Sequence, residues 1–198
     1  MNISEAIRTR RSIGKVTQGD IPVSQIEQIL EAGTWAPNHR MTEPWRFFVL
    51  RGEGRKVLGE ALADVALASA ADPASPEAAA AAESARTKPM RAPVVITVAV
   101  TPKDHEKVIE LEEYGAVFAA IQNMLLEAHG LGLGAIWRTG APTYHSKMNE
   151  HFGLGSKDKV LGFIYLGEPV EGQQLQGKRK SFEELTVWID EEGSVAGK

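Results

Sequence analysis

Arg8, Arg10, Arg11 and Ser12 gather three guanidinium groups and a hydroxyl within five positions near the start of the chain. Planar guanidinium groups match phosphate oxygens in pairs, and a serine hydroxyl adds a further donor. Arginines near a helix end also oppose its dipole, so the cluster alone reads either as an anion cradle or as compensation of a helix terminus. Trp137-Arg138-Thr139 sets an aromatic body, a cation and a hydroxyl at the end of an apolar run; taken alone, a core tryptophan beside a surface arginine explains it. Gly130, Gly132 and Gly134 form a G-x-G-x-G run. It leaves a helix and enters a strand, the reverse of a dinucleotide-binding turn, and reads as a helix terminator rather than a phosphate cradle.

Other chemistries find no residues. The five histidines stand at 39, 105, 129, 145 and 151, and a spacing of six between the last two does not put them on one helix face as metal ligands. There is no G-x-S-x-G, H-E-x-x-H or Walker pattern. Cysteine is absent, which removes thiolate nucleophiles, disulfides and cysteine-ligated metals and fits a reducing compartment. The 198 residues are 43% hydrophobic and 24% charged, enough for one domain with a full core. A net charge of −4 repels nucleic-acid backbones, so no nucleic-acid partner is expected and any anion site must be local.

These residues need elements to hold them. Residues 1–11 lack the apolar core of a signal peptide. The apolar stretch 114–136 is broken by Gln122, Asn123, Glu127 and His129, so it reads as a buried helix and not a membrane span. The expected location is cytoplasmic. Asn2 with Glu5, and Ser24 with Glu27, are capping pairs that predict two helices; the second carries the stripe Ile26, Ile29, Leu30, Gly33. Residues 45–50 predict a buried first strand and 92–100 a central one. Residues 55–71 predict a helix. Ser75-Pro76-Glu77 opens another, whose alanine run at 78–82 offers little to bury and predicts a mobile surface flap. The stripe Tyr114, Val117, Phe118, Ile121, Met124, Leu125, Ala128 predicts a long central helix capped at Gly130. Strands follow at 133–139 and 161–166, joined through a polar helix near 146–151. Leu185, Val187 and Trp188 in the polar tail need a surface to pack on, such as a second subunit.

Arg10-Arg11-Ser12, Trp35-Ala36-Pro37-Asn38-His39, Glu43-Pro44-Trp45-Arg46-Phe47 and Gly134-Ala135-Ile136-Trp137-Arg138-Thr139, in this order, resemble the nitroreductase family, nearest to its short bacterial members of the YdjA type. The likeness runs from Ile3 to about Pro169, and more loosely over Arg179 to Leu185. It implies an α+β, nitroreductase-like fold, with a mostly antiparallel central sheet flanked by helices and completed in a homodimer. A single domain would span 1–198, with a helical insertion at about 55–89 and a polar C-terminal extension at about 168–198. FMN would lie at the subunit interface, touched by both chains.

The resemblance implies that Arg10, Arg11 and Ser12 bind the phosphate side of FMN, and that Trp137, Arg138 and Thr139 border the flavin and its phosphate. His39, with Trp35, Pro37 and Asn38, would approach from the partner subunit, and Glu127, Ala128, His129, Gly130, Leu131 and Gly132 would lie near NAD(P)H. Trp35 stands where YdjA-type proteins can carry arginine. Gly14 stands where the R-R-S-x-R pattern has its last arginine, so either the following Lys15 substitutes or one phosphate contact is missing. Arg179 resembles a late basic position, although solvent exposure is its simpler state. The implied activity is hydride transfer from NAD(P)H through FMN to a nitroaromatic, quinone or similar acceptor by a ping-pong route, with the chemistry at FMN N5 and no catalytic side chain. A flavin-binding storage or sensor module, and an interaction protein with vestigial basic residues, are the alternatives.

Overall fold

The computed structural model describes residues 1–172 and 175–189; residues 173, 174 and 190–198 of the expected C-terminal extension lie outside them. Four strands form one antiparallel sheet: β1 (Trp45–Arg51), β2 (Val94–Val100), β3 (Gly134–Arg138) and β4 (Lys159–Gly167), in the order β1-β2-β4-β3. The helices are α1 (Ile3–Thr9), α2 (Val23–Thr34), α3 (Arg55–Ala68), α4 (Pro76–Thr87), α5 (Glu110–Gly130) and α6 (Ser146–His151). Side chains alternate across β2. Val94, Ile96, Val98 and Val100 pack with Ile26 and Ile29 of α2 and Ile121 and Met124 of α5. Val95 and Ala99 pack with Leu58 and Val65 of α3 and Met148 of α6. Every residue of β2 is buried, because helices cover both faces of the sheet and the valine-rich run has no polar side to show.

Four expectations are corrected, the last in the packing of α4. The strand at 45–50 is not buried: β1 is the sheet edge, and only Leu50 is fully buried. Ser24 caps nothing, since α2 starts at Val23 on the Pro22 carbonyl, which accepts from Gln25 and Ile26. Gly130 is the last helical residue of α5 and Leu131 its C-cap, so the glycine that turns the chain out of the helix is Gly132 and not Gly130. Its φ of 78° turns the chain left-handed, and the Gly132 and Leu133 amides close on the His129 and Ala128 carbonyls, the Schellman arrangement that favours glycine. Asn2 does cap α1, accepting from the Glu5 amide at 2.9 Å. Among the described residues no helix is long and apolar enough to cross a membrane.

The alanine-rich helix is not a loose flap. Ala78, Ala82 and Ala85 of α4 are buried, and small side chains let the helix approach α3 closely. At the crossing sits Gly59, where a Cβ would stand 2.5 Å from the Arg86 carbonyl oxygen. Arg86 ties the pair at the surface through Glu60 of α3. Low side-chain area is therefore a means of close helix packing. Gly59→Ala is expected to lower stability by about 1–3 kcal/mol through overpacking, read from urea unfolding, and to speed amide exchange along α4.

Candidate cofactor site

Consecutive residues of β3 face opposite ways. Trp137 lies on the α5 side, 5.7 Å from Phe118 between ring centroids, and its Nε1–H donates to the Leu161 carbonyl at 3.2 Å. Leu161 is the extra residue where the β2–β4 register shifts, with Val98 opposite Gly162 and Ala99 opposite Val160; such a bulge frees a carbonyl. The indole rests on Gly162, where a Cβ would fall 1.9 Å from Nε1. Arg138 points to the other face. Its guanidinium lies 5.3 Å from the centroid of Tyr165, and its buried Nε has no hydrogen-bond partner.

Around Arg138 opens a pocket of about 200 Å³, floored by Phe163 and Tyr165 and flanked by Thr139, Lys88 and Arg91, with no acidic residue in its lining. Burial pushes the Tyr165 phenol up, while Arg138 and Arg91 act the other way. Lys88 and Arg91, in the 3₁₀ turn before β2, escaped the sequence reading. Their only signal is a pair of cations at a strand entrance, about 50 residues from Arg138, which is indistinguishable from ordinary surface charge.

The N-terminal arginines lie on a segment pinned to the start of β3, where the Ile13 amide donates to the Ala135 carbonyl at 2.9 Å. Arg10 is held below its ordinary range by partial burial, and then by Arg11 and Arg179. The Arg11 guanidinium packs on Gly177 and donates to the Arg8 and Arg10 carbonyls, yet its buried Nε is without a partner. Arg179 is exposed but belongs to this cationic group. Gly14 adjoins Arg138: a Cβ there would stand 3.4 Å from Nη2. The segment that carries Arg10 and Arg11 thus also touches the pocket cation. Ser12 and Lys15 are exposed.

The loop after α2 does not line this pocket. Trp35, 79% exposed, sits beside Asn123, Glu127 and Gly130 toward the C-terminal end of α5. His39 reaches the other end, with Nδ1 2.5 Å from the Glu112 carboxylate. Pro37 is exposed, and Asn38 accepts from the Glu43 amide at 3.0 Å. Arg40, Met41 and Glu43 hold φ values of 60°, 52° and 47°, a left-handed backbone that costs on the order of 1–3 kcal/mol per residue.

Residues 127–132 form the end of α5. The Leu131, Gly132 and Leu133 amides bond to the Glu127, His129 and Ala128 carbonyls, so this turn keeps none of those donors for a nucleotide phosphate. Glu127 and Gly130 line the Trp35 cleft, and Ala128 is buried in the core. His129 Nε2 lies 2.8 Å from Thr9 Oγ1. Thr9 donates its proton to the Glu5 carbonyl at 2.7 Å, so Nε2 is the donor to Thr9.

A model of the nitroreductase family matches residues 7–168. The Escherichia coli K12 protein named "Putative NAD(P)H nitroreductase YdjA" is 36% identical over 169 residues, spanning 85% of this chain and 89% of that protein. The crystal structure of a nitroreductase-like family protein from Bacillus cereus superposes with a TM-score of 0.82 at 26% identity, covering 96% and 97% of the two chains. A Desulfovibrio desulfuricans "putative nitroreductase in complex with FMN" superposes with a TM-score of 0.67 at 28% identity, covering 95% and 97%.

Burial, then Arg10 and Arg11, holds the His129 imidazole below its ordinary 6.5, against an opposing pull from Glu5. Below about pH 6.5 the unfolded chain binds a proton that folded His129 resists. Its contribution to stability therefore falls as pH drops, until the folded-state value is passed. His129→Gln is expected to flatten the decline of the urea midpoint between pH 7 and pH 5.

Proposed function

The chain belongs to the nitroreductase family and is by that kinship an NAD(P)H-dependent oxidoreductase, and on this basis we propose that it holds FMN between the Arg10–Arg11–Arg179 group and the Arg138 pocket. The observation that carries this is a pair of buried guanidinium nitrogens, Arg11 Nε and Arg138 Nε, that lack acceptors among the described residues. They belong to cation groups joined by one chain segment, and an unpaired buried donor is expensive unless a ligand completes it. A flavin mononucleotide carries the two things these groups lack: a phosphate, and a ring edge rich in acceptors. Arg10, Arg11, Ser12 and Arg179 would hold the phosphate. Arg138, Thr139, Lys88 and Arg91 would face the polar ring edge above Tyr165 and Phe163. Gly14 supplies no phosphate contact, and its missing side chain leaves room beside Arg138.

When bound, FMN supplies hydride acceptance at N5 and onward electron transfer. The chain's task is then to bind, orient and leave a face open, so no acid–base pair is required. Nicotinamide and a small nitroaromatic or quinone would take turns at that face, which gives ping-pong kinetics, with residues 127–132 beside the nucleotide. A second copy of the chain would complete the site. Ile3, Ile7, Trp35, Met41 and Leu111 are exposed, as are Phe182, Leu185, Val187 and Trp188 of the tail, apolar side chains that a second subunit would cover. Trp35, Pro37, Asn38 and His39 would reach the flavin from that copy. The demand for reduced nucleotide agrees with a cytoplasmic location.

Purified protein is expected to be yellow and to bleach with NADH or NADPH in the absence of oxygen. A protein that cannot take up FMN overturns the reading, and one that binds FMN yet stays oxidised is a flavin store or sensor. Arg10→Ala and Arg138→Ala should each weaken FMN binding by roughly 10- to 100-fold, as loss of a charge-assisted bond of about 1.5–3 kcal/mol requires. Equal affinity in both variants, measured by flavin fluorescence, contradicts the site.

A further inference from the structure

Glu113, in the first turns of α5, is only 2% exposed, and among the described residues no cation is paired with its carboxylate. Its two oxygens serve two loops. Oε1 accepts from the Thr42 hydroxyl at 2.6 Å, and Oε2 accepts from the Lys103 backbone amide at 3.3 Å. The Thr42 proton goes to this oxygen rather than to the His39 carbonyl, which is 3.3 Å away.

The loop it ties is the strained one. Arg40, Met41 and Glu43 are left-handed, and such a backbone persists only where its surroundings over-determine it. The ties from Arg40 to the Lys107 carbonyl, from Glu43 to Asn38 and from His39 to Glu112 are at exposed positions and compete with water, and the part-buried bond from Asn38 to the Ala36 carbonyl stays within its own stretch of chain. The Thr42–Glu113 bond is the part-buried tie that joins the loop to α5. We propose that Glu113 is a positioning residue, which through Thr42 keeps loop 38–43 in its strained form and so presents His39 to the flavin groove of the second subunit. The proposal rests on the flavin reading above, but the loop tie can be tested without flavin.

Thr42→Val removes the donor and keeps the shape, while Thr42→Ser keeps the hydroxyl. In flavin-free protein, trypsin is expected to cut after Arg40 about tenfold faster in Thr42→Val than in wild type, with Thr42→Ser at the wild-type rate. FMN binding should weaken in Thr42→Val as much as in His39→Ala and be retained in Thr42→Ser. Glu113→Gln, whose amide nitrogen cannot accept, should loosen one of the two loops and fall between. A Thr42→Val protein that is cut and binds FMN like wild type overturns the proposal. Faster cutting with wild-type FMN affinity also overturns it, because the loop is then tied as described without serving the flavin, and the assignment of Arg10 and Arg138 still stands.

Discussion

The constraint on which this molecule turns is the accumulation of positive charge along β3 with no paired carboxylate among the described residues. Partial burial, and then the nearby Arg11 and Arg179, disfavour the protonated form of Arg10, and the pocket beside them adds Lys88, Arg91 and Arg138 with no carboxylate in its lining. Like charges at such range repel, and a buried N–H without an acceptor adds its own cost. A chain with net charge −4 has acids enough to neutralise these groups and spends them elsewhere: Glu60 and Glu83 on Arg86, Glu150 on Lys147, Asp104 on Lys157. The stress on this face is what an anionic ligand relieves.

The surrounding fold exists to hold that face still. The inner strands β2 and β4 are buried except at Lys159, and β3 pairs with β4 from Gly134 to Arg138, so Tyr165 and Phe163 form a rigid floor. Close approach does the rest. Gly162 accepts the indole of Trp137, and the bulged Leu161 carbonyl takes its N–H, which fixes the twist with which β3 delivers Arg138 to the opposite face. The packing of α4 on α3 belongs to the same scheme, since the turn carrying Lys88 and Arg91 follows α4 directly.

The loop at 38–43 shows the complementary device. Where the sheet is rigid by burial, this loop is held by hydrogen bonds against an unfavourable backbone, and a buried carboxylate anchors it. Strain of this kind is found at ligand clamps and functional loops, and on the proposed reading His39 would be the side chain this loop offers.

Much of this was legible along the chain. Periodicity located α2, α5 and β2, a capping asparagine located α1, and the ordered motifs around Arg10 and Arg138 pointed to one family and one type of ligand, because those signals are local or sequential. What escaped was set by packing between distant segments. Alanines at 78–82 look like a surface helix until Gly59 meets the Arg86 carbonyl; residues 45–50 look buried until the strand order puts them at the edge. Lys88 and Arg91 gain meaning only when the 3₁₀ turn before β2 brings them to the pocket floored by Tyr165, and Glu113 only when two loops close on it. Residue types decide which chemistry is available through charge and hydrogen-bonding capacity. Which of those groups meet, and which are left without a partner, depends on distances that only the folded chain creates.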